Sequence, residues 1–179
     1  MDPIPERQSA APAIDLDHVS LAVAAAMPPL RRLVGELGAT VYHGGALPGC
    51  RYVVARLGDA DRGMNLELIE PHEVSEDEFL VRFLRRRDEG PNHITFLVEE
   101  LDPLLARFAE AGLRPVKARL DDPVWREAFF DPADAGGTVL QLGESTLDLT
   151  PKHLFEVARR EEARRAEAID SLGMPPGTP

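Results

Sequence analysis

Apolar and polar positions alternate with a period of two over residues 14–23, and the same alternation returns over 92–98. Such alternation predicts half-buried strands with one apolar face and one polar face. In the first strand His18, Ser20 and Ala22 share a face opposite Val19, Leu21 and Val23. In the second, His93 and Thr95 oppose Ile94, Phe96 and Val98. The bulky faces should pack under helices and the histidine faces should line the concave side of a sheet. The period then changes. Leu30, Leu33, Val34 and Leu37 form one stripe closed by Gly38, which predicts a helix over 28–37, and residues 102–111 predict its counterpart, ended by Gly112. Three short strands follow in each half, at 40–42, 51–57 and 66–69 (stopped by Pro71), then at 114–118, 126–130 and 138–142. Between the halves, Ser75 and Glu78 suggest a capping box for an insert helix with Phe79, Leu80, Phe83 and Leu84 on its apolar face. A charged helix is expected over 151–171, with Glu156–Arg160 and Glu161–Arg165 spaced to pair.

The order strand, helix, strand, strand, strand thus occurs twice, and the residues echo with it. Asp17-His18-Val19-Ser20-Leu21-Ala22-Val23 returns 75 residues later as Asn92-His93-Ile94-Thr95-Phe96-Leu97-Val98. Pro29-Leu30, Val34, Glu36 and Gly38 return 74 on as Pro103-Leu104, Phe108, Glu110 and Gly112, and Leu66-Glu67-Leu68 as Leu140-Gln141-Leu142. A long unit used twice implies two modules with pseudo-twofold symmetry. The expected fold is α+β: two βαβββ modules, 14–71 and 92–144, forming a curved mixed sheet cup, with a helical insert at 75–89 between them. A disordered lead-in over 1–13 and a C-terminal helical tail over 145–179 complete the expected organisation.

Composition narrows the function. A chain of 179 residues, 44% of them apolar, can bury a real core. Its net charge of −11 argues against nucleic acid and against adhesion to an anionic membrane. Cys50 is the only cysteine, so no internal disulfide can form, which fits a reducing compartment. The most apolar run, 21–30, is too short to span a bilayer and is broken by Pro28-Pro29. These features predict a soluble cytoplasmic protein.

The polar residues carried by the repeat are the types that bind metals. His18 and His93 match, and Glu67 matches Gln141, each a lone polar residue between leucines. A lone strand histidine is more often a surface or hydrogen-bonded residue, and a lone carboxylate between leucines often faces solvent. Equivalence under the repeat is what favours a site. Two imidazoles, a carboxylate and an amide oxygen suit one divalent cation, among Zn, Co, Ni, Mn, Mg and Fe.

On these residues the chain resembles the vicinal oxygen chelate superfamily, the glyoxalase, bleomycin-resistance and dioxygenase group, over about residues 14–144. Within that group it is most similar to methylmalonyl-CoA epimerases. The stretches that carry the likeness are the two histidine strands, Leu66-Glu67-Leu68-Ile69-Glu70-Pro71, and Phe129-Phe130-Asp131-Pro132 followed by Gly136-Gly137-Thr138-Val139-Leu140-Gln141-Leu142. The resemblance implies paired modules around one divalent metal, with His18, Glu67, His93 and Gln141 at ligand positions, and a homodimer. It also implies a metal-dependent isomerase, epimerase or related lyase that stabilises an enolate, plausibly of an acyl-CoA thioester. At Gln141 the epimerase pattern has a carboxylate that moves protons, and an amide cannot be a base. Glu67, Glu127 and Glu144 are the candidates for that task, with Glu127 on a strand whose cup-facing side the alternation leaves open. Two alternatives use the same fold: a binding protein that sequesters a drug or natural product, and an Fe(II) dioxygenase, which Gln141 disfavours.

Overall fold

The alternating stretches become strands and the 3.6-period stretches become helices. The computed structural model describes residues 13–59, 61–73, 75, 78–147, 153 and 160. Among them the order is β1 (Ile14–Ala22), α1 (Met27–Leu37), β2 (Thr40–Leu47), β3 (Gly49–Leu57), β4 (Met64–His72), α2 (Phe79–Arg87), β5 (Gly90–Val98), α3 (Leu101–Glu110), β6 (Lys117–Arg119), β7 (Trp125–Phe130) and β8 (Val139–Ser145). The α+β assignment and the repeated βαβββ order both hold. The expected lead-in and charged tail helix lie outside the described residues, isolated positions apart. No helix among the described residues is long and apolar enough to cross a membrane.

The chain forms two compact units, one around residues 18–92 and one around 93–147. In the first the strand order is β2-β3-β4-β1, with β1 and β4 parallel and the other neighbours antiparallel. In the second the order is β5-β8-β7-β6, with β5 and β8 parallel and the rest antiparallel. The register repeats too. Ser20 lies opposite Glu67 in the first unit, and Thr95 lies opposite Gln141 in the second.

Each unit places its helices as the bulky faces require. In the first, Leu30 and Leu33 of α1 pack on Leu21, Val23, Val53 and the fully buried Leu68. Leu80, Phe83 and Leu84 of α2 cover Ala22, Cys50, Tyr52 and Ile69 instead, on the face that carries His18. In the second, Leu101, Leu104, Leu105 and Phe108 of α3 close over Phe96, Val98, Ala128, Phe130, Leu140 and Leu142. Full burial of one such side chain stabilises by about 1.5–3 kcal/mol, so these apolar layers fix which face of each strand is left for polar residues.

Two local expectations are corrected. β4 does not stop at Pro71 but runs through it to His72. β1 pairs with β4 only as far as Ile69, so the missing Pro71 N–H leaves no rung of that ladder broken. The capping box does not form: α2 starts after Glu78, whose side chain makes no cap, and the Glu78 N–H donates to the Ser75 carbonyl at 3.3 Å. Gly38 does end α1 as read, in the left-handed region at φ 67°.

Candidate functional site

In the first unit, pairing of Ser20 with Glu67 puts the alternate residues His18, Ser20 and Glu67 on one side of the sheet. All three are buried, at 8%, 0% and 8% exposure. His18 Nε2 lies 3.5 Å from a Glu67 carboxylate oxygen. Two donors bonded to one cation at about 2.1 Å and subtending a tetrahedral angle sit about 3.4 Å apart, so this spacing suits neighbouring metal ligands as well as an ion pair. The Ser20 hydroxyl is buried beside them and finds no hydrogen-bond partner among the described residues. An unsatisfied buried hydroxyl costs about 1–3 kcal/mol. The donor types, their spacing and this orphaned polar atom fit a hydrated cation.

The same face of the first unit carries two further polar groups from the outer strands. Tyr52 lies opposite Ile69, two residues from Glu67, and its hydroxyl is 3.0 Å from His43 Nε2. Burial is the main reason the Tyr52 hydroxyl is pushed above the ordinary phenol range; the negative charge of Glu67 and then that of Cys50 add to it.

In the second unit, Thr95 and Gln141 stand where Ser20 and Glu67 stand in the first, and His93 stands where His18 does. Thr95 and Gln141 are buried, and the His93 ring meets Phe129 edge-on with centroids 6.3 Å apart. Here the hydroxyl is satisfied. Thr95 Oγ1 donates to Gln141 Oε1 at 2.7 Å, and Gln141 Nε2 donates to Glu127 Oε2 at 2.8 Å. Trp125 Nε1 donates to that same oxygen at 2.8 Å, while Arg119 lies 3.4 Å from Glu127 Oε1. The side on which Glu127 falls is therefore decided. Ala128 and Phe130 pack with α3, and Glu127 and Phe129 share the opposite face with Gln141. Trp125 reaches Glu127 because it lies across Gly143, where an added Cβ would sit 2.7 Å from two ring carbons.

Glu144 has a different task. Its Oε2 accepts the Leu101 N–H at 2.6 Å at the start of α3, and its Oε1 accepts from Arg126 at 3.0 Å. Glu70 does the same in the first unit, accepting the Ala26 N–H at 2.6 Å and pairing with Arg51 at 2.6 Å. Both are helix N-terminal carboxylates on the helix side of their strands. Reading for metal-binding types missed this second repeat. Its signal was present, since Arg51 and Arg126 keep the offset of 75 and Glu70 and Glu144 the offset of 74.

Solved structures share this fold. Methylmalonyl-CoA epimerase from Mycobacterium tuberculosis is 29% identical with a TM-score of 0.64, over 75% of this chain and 89% of that one. A Streptomyces coelicolor methylmalonyl-CoA epimerase variant, in complex with 2-nitronate-propionyl-CoA, is 25% identical with a TM-score of 0.64, over 74% and 97%. A hypothetical protein from Bacillus halodurans, 24% identical with a TM-score of 0.66 over 76% and 97%, shares the fold. No curated protein matches the sequence. The family model of the glyoxalase/bleomycin resistance protein/dioxygenase superfamily matches residues 11–129, and the chain belongs to that superfamily.

Proposed function

We propose that the protein is a metal-dependent isomerase, specifically an epimerase that forms and reprotonates the enolate of an acyl-CoA thioester. The observation that carries this reading is the buried His18–Glu67 pair, 3.5 Å apart and repeated in kind by His93 and Gln141. The likeness to methylmalonyl-CoA epimerases supports the substrate class. In this reading His18, Glu67 and His93 hold one divalent cation, each with one donor atom. The Gln141 amide oxygen, which accepts one hydrogen bond from Thr95 and keeps a second lone pair, completes the set. The cation supplies Lewis acidity toward the substrate carbonyl, which makes the adjacent C–H more acidic.

The chain's own residues supply the rest. Glu67 is occupied as a ligand, which leaves Glu127 to take the proton from carbon. Two N–H donors, from Trp125 and Gln141, fix Glu127 Oε2 and so set the direction of the carboxylate. Gln141 thereby replaces a base with a group that aims one. Incubation of the metal-loaded protein with methylmalonyl-CoA in deuterated water tests this. Metal-dependent deuterium uptake at the α-carbon, lost in Glu127→Gln, is the expected result. No uptake with any 2-methyl acyl thioester would leave the binding-protein reading, which the amide at position 141 favours.

A further inference from the structure

The two units treat one pair of equivalent positions differently. In the second, Thr95 lies opposite Gln141, and its hydroxyl donates to Gln141 Oε1 at 2.7 Å. In the first, Ser20 lies opposite Glu67 in the same parallel register. Ser20 is fully buried, yet its hydroxyl finds no hydrogen-bond partner among the described residues. Glu67 meets His18 instead, whose Nε2 lies 3.5 Å from one carboxylate oxygen.

The distance between Ser20 and Glu67 is no obstacle to the bond that Thr95 makes. Neighbouring strands run about 4.7–4.9 Å apart, so a hydroxyl directly opposite a glutamate reaches its carboxylate by side-chain rotation alone. Serine lacks the branched methyl group that restricts threonine, so its hydroxyl turns readily between staggered positions. A carboxylate that binds a metal is itself hydrogen-bonded by a neighbouring group, which orients it toward the ion. Ser20 is the hydroxyl that the register of β1 on β4 sets beside Glu67.

We propose that Ser20 is the positioning residue for Glu67: its hydroxyl donates to one carboxylate oxygen and leaves the other for the cation. The inference rests on the metal-site reading above and concerns residues of the first unit alone. Ser20 touches neither cation nor substrate. It acts through Glu67, as Thr95 acts on the amide of Gln141. When no cation is bound, Glu67 stays with His18 and the Ser20 hydroxyl is left buried and unsatisfied, which lowers stability. Ser20 therefore weakens the empty fold and strengthens the loaded one. A side chain kept only for packing would act on both in the same direction.

The test uses the full chain, stripped of metal with a chelator and titrated with cobalt(II), with binding and coordination read from visible absorption. In Ser20→Ala, cobalt affinity should fall by about 10- to 100-fold and the absorption bands should change shape. The metal-free Ser20→Ala protein should melt about 2–8 °C above the metal-free wild type, because the unsatisfied hydroxyl is gone. Ser20→Thr, which copies the hydroxyl of the second unit, should keep an affinity near that of the wild type. Unchanged cobalt affinity in Ser20→Ala would overturn the proposal, as would a loss of affinity accompanied by a lower metal-free Tm. Absence of cobalt binding in the wild type would instead retire the metal-site reading, and this inference with it.

Discussion

Gly143→Ala puts the second unit's polar chain under direct strain. Gly143 does not lie in the left-handed region, so the backbone accepts alanine and only space resists it. The new Cβ would sit 2.7 Å from Cη2 and Cζ2 of Trp125. Ordinary carbon contacts need about 3.5–4.0 Å, so the indole must retreat by about 1 Å. That shift takes Trp125 Nε1 out of reach of Glu127 Oε2, now 2.8 Å away. Overpacking costs about 1–3 kcal/mol and a hydrogen bond to a charged group about 1.5–3 kcal/mol. The smaller entropy of the unfolded alanine chain offsets about 0.4–1 kcal/mol. Because Trp125 and Glu127 are only partly buried, the net expectation is about 2–3 kcal/mol, or a fall in Tm of about 4–12 °C. Trp125 is the only tryptophan, so its fluorescence reports the displacement directly. Thermal unfolding followed by circular dichroism, with emission spectra of the native state, gives both readouts. Trp125→Phe should remove most of the extra cost of Gly143→Ala in a double-mutant cycle. An unchanged Tm together with an unchanged emission spectrum would refute the reasoning.

Three further outcomes are expected. Glu70→Gln and Glu144→Gln should each lower stability by about 1–2 kcal/mol and by similar amounts, since each removes a charged helix cap; denaturant unfolding of the two variants checks it. Gln141→Glu would set a second carboxylate beside Glu127 Oε2, where the amide now lies at 2.8 Å. The pair would share a proton in the folded state, raising a folded pKa, so the penalty should be present at pH 7 and relieved toward pH 5, seen as a Tm gap to wild type that narrows on acidification. The Asp122 carboxyl is held below its ordinary range by the N–H groups of Trp125, first, and Val124. Its contribution is therefore present above about pH 4 and lost as pH falls through the lowered folded value, and Asp122→Asn should flatten that part of the acid unfolding curve.

The repeat was legible because strands with one apolar face must alternate, and because both copies kept the same residue types on the polar face. His18 and His93, Glu67 and Gln141 could therefore be paired from sequence, and the register confirms their equivalence within the units. The face of Glu127 could not be read, since Glu127 and Phe129 alternate with Ala128 and Phe130, and both sets include an aromatic residue. Packing of Phe130 against α3 decides it. Val41 lies opposite Ala55 and His43 opposite Val54, so Tyr42 is an extra residue in β2; this bulge left no trace in composition, yet it sets the side on which His43 lies. The place of Trp125 could not be read, because its seat depends on the missing side chain of Gly143, a residue 18 positions away. Pro71 read as a stop because a strand proline is harmful only where a neighbour needs its N–H.

The central claim is that histidines from the two units hold the same ion. Metal analysis of protein purified without chelator, repeated on His18→Ala and His93→Ala, tests it most directly. The account predicts about one divalent ion per chain in the wild type, and loss of that ion in either variant although each leaves the other unit's donors intact. A full complement of metal in both variants, or none in the wild type even after addition of zinc, cobalt, nickel or manganese, would contradict it.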